Sequence, residues 1–208
     1  MTALGNPPIL YLITDRSLCL SRSVLDLIAE AARAGVDLIQ IREKDLPTRE
    51  LCALVEEAAA RIAGTPARLL VNDRVDVAVT CGAHGVHLTT RSLPVAVARE
   101  LVGPDFLIGA STHSLQEARQ AEAEGADFLV LGPVFETPSK MSYGPPLGLE
   151  AFARIAAMIR LPVLAIGGIT PGNAPQVLAH RAAGVAAIRM FVEAEQLAPL
   201  VAQLKGLR

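Results

Sequence analysis

Short apolar runs alternate with longer amphipathic stretches from one end of the chain to the other. The runs are Ile9–Asp15, Asp37–Arg42, Arg68–Asp73, Gly85–Leu88, Phe106–Ser111, Asp127–Val134, Pro162–Gly167 and Val185–Met190, each about the length of a strand. Between them, segments such as Arg49–Ile62, Leu115–Glu124 and Leu149–Ile159 space their apolar residues as a helix does, and Ala194–Gly206 adds a last one. Runs that are apolar at nearly every position suit a parallel sheet buried on both faces. Eight of them with intervening helices predict an α/β fold, a single (βα)8 TIM-barrel domain over residues 1–208. A doubly wound open sheet has the same alternation and is the alternative that local pattern leaves standing.

Four runs follow a small unit that ends a helix and opens a strand: Ala34-Gly35-Val36-Asp37, Cys81-Gly82-Ala83-His84-Gly85, Glu124-Gly125-Ala126-Asp127 and Ala182-Ala183-Gly184-Val185. The glycine of each is expected to supply the left-handed backbone of a helix C-cap.

Composition narrows the partners. Hydrophobic residues make up 51% of the chain with no Trp, so the core is built mainly from Ala, Val, Leu and Ile. With 19 basic and 21 acidic residues the formal charge is −2, which argues against a nucleic-acid surface. No stretch reaches about 18 uninterrupted apolar residues and no basic-then-apolar leader opens the chain, so neither membrane nor export is expected. Cys19, Cys52 and Cys81 are scattered and odd in number, which predicts buried thiols in a reducing cytoplasm, outside any disulfide framework. The expected partner is a small molecule, and homo-oligomerisation is left open.

In a barrel, functional groups gather where strands hand over to the following loops. The second run carries Gln40, Arg42 and Lys44 at alternate positions, which period two places on one face. Two cations there require an anion, unless they pair with Glu43, Asp45 or other carboxylates in a solvated loop. The third run ends in Asn72-Asp73, where Asp73 is a candidate Mg2+ ligand or a cap for the next helix. The fifth ends Ser111-Thr112-His113-Ser114, with His113 a general base or a structural group and Ser114 a helix cap. After the sixth comes the longest polar loop, in which Thr137, Ser139 and Lys140 suit phosphate oxygens, although Pro-Ser-Lys is also an ordinary exposed turn. Backbone N–H groups near Gly167, Gly168 and Ile188, on the last two runs, can approach an anion closely, and phosphate sites recur there in such barrels.

These stretches resemble the thiamine phosphate synthase and TenI superfamily over nearly the whole chain, from Tyr11 to Phe191. The resemblance is carried by Tyr11-Leu12-Ile13-Thr14-Asp15, Gln40-Ile41-Arg42-Glu43-Lys44, Val71-Asn72-Asp73-Arg74-Val75-Asp76, Gly85-Val86-His87-Leu88, Ser111-Thr112-His113-Ser114, Gly132-Pro133-Val134-Phe135 and Ala165-Ile166-Gly167-Gly168-Ile169. It implies a TIM barrel whose synthase members join hydroxymethylpyrimidine diphosphate to a thiazole phosphate, releasing pyrophosphate and yielding thiamine phosphate. It further implies that Arg42, Lys44, Asn72 and Lys140 hold the pyrophosphate and that Asp73 contributes to a Mg2+ site. Gln40 and Ser111 would contact the pyrimidine, and Thr137, Ser139, Gly168 and Ile188 the thiazole phosphate. In the family mechanism pyrophosphate leaves first and the thiazole nitrogen traps the pyrimidine methylene cation.

Three positions depart from the synthase pattern. Ser139 stands where Thr is usual. After His87-Leu88 the synthases read Gly-Gln-x-Asp, whereas this chain has Thr89-Thr90-Arg91-Ser92 and lacks the second metal carboxylate. Arg189 occupies a position usually held by a small Ser. Ser92 and Arg189 resemble the TenI branch, whose thiazole tautomerisation needs no metal and uses the residue matching His113 for proton transfer. The expectations are therefore a synthase, favoured by the intact cation cluster; a tautomerase; or a non-catalytic regulator that retains phosphate binding.

Overall fold

The computed structural model describes residues 4–20, 22–137 and 145–207. Eight parallel strands close into a barrel in chain order: β1 (Ile9–Ile13), β2 (Leu38–Ile41), β3 (Arg68–Asn72), β4 (Gly85–Leu88), β5 (Leu107–Thr112), β6 (Phe128–Leu131), β7 (Val163–Ile166) and β8 (Gly184–Ala187). The helices around it are α1 (Val24–Ala34), α2 (Thr48–Ile62), α3 (Val75–Thr80), α4 (Val95–Val102), α5 (Leu115–Ala123), α6 (Gly148–Ala156), α7 (Ala174–Ala179), α8 (Arg189–Val192) and α9 (Leu197–Lys205). The pairing of β1 with β8 closes the barrel and excludes the open sheet. No helix among the described residues is long and apolar enough to cross a membrane.

Alternate side chains along each strand explain the unbroken apolar runs. One set, including Leu10, Ile39, Val86 and Leu129, packs outward against the helices. The other, including Tyr11, Leu38, Leu70, Phe128 and Leu164, fills the lumen. With both faces buried, a polar residue in a strand stands out, and Gln40 and His87 are the buried polar residues within β2 and β4.

At the strand entrances two carboxylates make matching clamps, four strands apart. Asp37, just before β2, accepts the Leu10 N–H at 2.7 Å and pairs with Lys205 of α9 at 2.6 Å. Asp127, just before β6, accepts the Ile108 N–H at 2.7 Å and pairs with Arg99 of α4 at 2.7 Å. These clamps brace the end of the barrel opposite the strand exits.

Several boundaries differ from the sequence pattern for physical reasons. The β2 ladder stops at Ile41, because the Arg42 N–H goes to Thr14 Oγ1 at 3.0 Å; only Gln40 of the alternating triplet lies within the strand. β6 stops at Leu131, since Pro133 has no N–H to continue a ladder. β8 gives way at Ile188 to α8, so Arg189 and Met190 are helical. Gly35, Gly82 and Gly125 take the expected positive φ, but Gly184 lies within β8, where a side chain would strike the backbone of Ile9. Arg181, with φ 71°, makes the left-handed step there instead.

Candidate active site

At the end of β2 the carboxylates are already occupied. Glu43 is buried and accepts the Thr14 hydroxyl at 2.6 Å and the Arg16 backbone N–H at 3.1 and 3.2 Å. Asp45 forms a two-pronged pair with the Arg16 guanidinium, at 2.6 and 2.7 Å. Arg42 and Lys44 therefore have no ion-pair partner among the described residues, contrary to the solvated-loop alternative. Lys44 instead faces other cations. Its ammonium is pushed below the usual lysine range by Arg42 first, then by burial and by Arg91, with Asp73 acting in the opposite sense. Three cations thus share their surroundings with one carboxylate.

Asp73 follows β3 with φ 66°, a left-handed conformation that Asp tolerates. Its backbone N–H donates to the His87 carbonyl at 2.9 Å. The carboxylate is exposed and takes no hydrogen bond among the described residues, and α3 has no side-chain cap, so the helix-capping alternative is not what the residue does. Asn72, at the last position of β3, sits opposite His87 in the strand register.

Deeper in the lumen, His87 Nε2 lies 2.9 Å from Ser111 Oγ on β5. The ring is fully buried against Tyr11 and Phe128. Burial, aided by Arg42, lowers its pKa to about 3, so the imidazole is neutral. Nδ1 has no partner among the described residues. The tautomer that avoids an orphaned buried N–H places the proton on Nε2, donating to Ser111, whose own hydroxyl proton remains available. Gly109 is needed beside this ring, because a Cβ there would sit 2.7 Å from His87 Nδ1. Tyr11 Oη and Gln40 Nε2 are likewise buried with no well-formed hydrogen bond among the described residues; burial drives the Tyr11 phenol well above its usual range, with the Gln40 side chain acting in the opposite sense.

On the far side, the loop after β6 is folded onto β7. Val134 and Phe135 donate their N–H groups to the carbonyls of Ile166 and Gly167, at 2.8 and 3.1 Å. Gly168 has φ 64° and lies so near this loop that a Cβ would meet the Glu136 carbonyl at 2.5 Å. Thr137 is half-buried at the end of the described part of the loop, and Ile188 immediately precedes α8. Ser139 and Lys140 lie outside the described residues.

The departures from the synthase pattern have local explanations. Ser92 Oγ accepts the Thr89 N–H at 2.8 Å and contacts Thr89 Oγ1 at 3.1 Å, holding a turn. Arg189 is turned along α8 to Glu193 at 2.6 Å, with its side chain 55% exposed, so it does not fill the lumen. Ser114 caps α5 through the Glu117 N–H, while Glu117 accepts the His113 backbone N–H at 2.7 Å and lies 3.1 Å from His113 Nδ1.

Two features were not singled out from sequence as site residues. His87 was accessible in principle, because period two from Gly85 turns it into the lumen. The Arg16 pairing had no local signal, since it joins loops 29 residues apart.

The family model described as thiamine monophosphate synthase matches residues 10–191. The thiamine-phosphate synthase of Methanoculleus marisnigri is 46% identical over 183 residues, covering 88% of this chain and 87% of its own. That of Roseiflexus castenholzii is 43% identical over 188 residues, covering 89% and 82%. Among solved structures, thiamine phosphate pyrophosphorylase from Pyrococcus furiosus superposes with a TM-score of 0.87 at 36% identity, covering 99% of this chain and 96% of that one. A 3-hexulose-6-phosphate synthase, at 17% identity and a TM-score of 0.70, shares the barrel alone.

Proposed function

The chain belongs to the thiamine monophosphate synthase family, and from that premise we propose a role for each group at its mouth. The reaction is a transfer: the carbon–oxygen bond of hydroxymethylpyrimidine diphosphate breaks, a carbon–nitrogen bond to the thiazole phosphate forms, and pyrophosphate leaves with the bonding electrons. Arg42 and Lys44 hold the diphosphate and stabilise the charge that grows on it as it departs; removing one such donor typically costs about 10²–10³ in rate. Asn72 and Lys140 complete that subsite.

The observation that carries this reading is a cation cluster whose Arg42 and Lys44 have no ion-pair partner among the described residues. Arg42, Lys44 and Arg91 lie together while the nearby carboxylates of Glu43 and Asp45 are engaged elsewhere. A tautomerase acting on one phosphate has no use for it. In the lumen, Gln40 Nε2 and the Ser111 hydroxyl offer the pyrimidine polar contacts in a water-poor place. Thr137, Ser139 and the backbone near Gly168 and Ile188 hold the thiazole phosphate. His113 stands at the rim with Glu117 on its Nδ1, and the coupling reaction needs no proton shuttle from it, whereas a tautomerase would use it as the acid–base residue.

The donors at the mouth suit Mg2+ only as an ion shared with substrate. No group of three His, Cys, Asp or Glu side chains that could hold a metal occurs among the described residues, but Mg2+ is commonly held by one or two carboxylates plus substrate phosphates. Asp73 is the carboxylate that would hold it, with diphosphate oxygens and water completing the shell; the ion would neutralise charge on the leaving group. Cytoplasmic residence belongs to the same reading, supported by three unpaired cysteines.

The test is turnover by the purified protein with hydroxymethylpyrimidine diphosphate, thiazole phosphate and Mg2+, assayed for thiamine phosphate. The thiazole carboxylate phosphate tautomer is tested in parallel without metal. Thiamine phosphate formation is expected; isomerisation without coupling would overturn the assignment.

A further inference from the structure

The segment Arg42-Glu43-Lys44-Asp45 alternates in sign, so each diphosphate-binding cation has a carboxylate beside it in the chain. A carboxylate competes with a phosphate for a guanidinium because both present two oxygens to the same fork of donors. A carboxylate left beside these cations would occupy them or repel the incoming diphosphate.

We propose that Arg16 is a positioning residue whose guanidinium draws Asp45 away from Lys44 and so keeps the diphosphate subsite open. The proposal rests on the diphosphate reading given above. Arg16 lies in a short helical turn just after β1, where Asp15 accepts the Ser17 N–H at 3.1 Å and holds the turn in place. From there Nη1 and Nη2 reach the two Asp45 oxygens at 2.6 and 2.7 Å. Nη1 is also 3.7 Å from Glu43 Oε2, and the Arg16 backbone N–H donates to both Glu43 oxygens.

The two carboxylates depend on Arg16 to different degrees. Glu43 is also held by the Thr14 hydroxyl and has a side chain only 3% exposed, so it stays in place without the guanidinium. Asp45 is 70% exposed, and the two side-chain hydrogen bonds that hold its carboxylate come from Arg16, with its own backbone N–H as a lesser contact. Once released it is one residue from Lys44, a negative charge beside a site for a multiply charged anion. An exposed pair of this kind adds little to fold stability, so its consequence falls on ligand binding.

The experiment is a rescue. Arg16→Met, Asp45→Asn and the double variant are compared for pyrophosphate binding by calorimetry in Mg2+ buffer and for the KM of the pyrimidine diphosphate. Arg16→Met should weaken pyrophosphate binding and raise that KM about 5- to 10-fold, with kcat unchanged and a larger effect at low salt. Asp45→Asn should bind as the wild type does, and adding it to Arg16→Met should restore binding to within about twofold. A double variant as weak as Arg16→Met would overturn the proposal, as would an Arg16→Met protein that binds pyrophosphate normally. Thermal melts of each variant separate misfolding from lost affinity. If the wild type itself neither binds pyrophosphate nor makes thiamine phosphate, the underlying reading fails, a result distinct from failure of the rescue.

Discussion

His87 and Ser111 are joined at 2.9 Å across β4 and β5, and burial keeps the histidine neutral. The Ser111 hydroxyl is thereby fixed at the mouth end of the lumen with its proton free for substrate. Ser111→Ala removes that donor and also orphans the His87 N–H. It should lower kcat/KM for coupling by at least about tenfold while leaving the KM for thiazole phosphate unchanged, and cost about 1–3 kcal/mol of stability. Steady-state kinetics and a denaturant melt check the two halves separately.

The same histidine predicts an acid limb of stability. Its folded pKa, about 3, lies below the ordinary 6.5, so between these values the unfolded chain binds a proton that the folded chain refuses. Stability attributable to His87 is fully present above pH 6.5 and falls by about 1.4 kcal/mol per unit as pH drops toward 3. Unfolding free energies measured from pH 7 to 4 should decline less steeply in His87→Gln than in the wild type. Parallel slopes would contradict the buried, neutral ring.

Lys44 is pushed below the usual lysine range chiefly by Arg42. Pyrophosphate binding by the wild type should therefore weaken on the alkaline side at a pH below that of an ordinary lysine, as Lys44 loses its proton. Arg42→Met removes the main cause, so in that variant the alkaline limb should move to higher pH even though binding is weaker throughout. Titrations from pH 7 to 10.5 show whether the limb moves.

The clamp of Asp37 and Lys205 lies at the opposite end of the barrel from the mouth. Lys205→Met leaves a half-buried carboxylate without its cation, though Asp37 still accepts the Leu10 N–H. A loss of about 1–2 kcal/mol with kcat and both KM values unchanged is expected, and chemical denaturation with kinetics on one preparation tests it.

The barrel was legible because each strand is buried on both faces and so stands out as an apolar run. The ends were less so, since Arg42 leaves the ladder for Thr14 and Pro133 cannot donate, events set by tertiary partners and single atoms. Gln40, Asn72 and Ser111 were legible as polar residues at strand exits. The occupancy of Glu43 and Asp45 was not, because it depends on the β1 and β2 loops meeting in space. Nor could the pattern tell that Arg189 turns to Glu193 instead of entering the lumen.

On the reading proposed above, this mouth couples two substrates by expelling pyrophosphate. A single-turnover experiment with limiting hydroxymethylpyrimidine diphosphate, excess thiazole phosphate and Mg2+ tests it most directly, with both products quantified over time. One pyrophosphate should be released for each thiamine phosphate formed, with both rates collapsing in the Arg42→Met, Lys44→Met double variant. Pyrophosphate release without thiamine phosphate, or coupling that survives in the double variant, would contradict it.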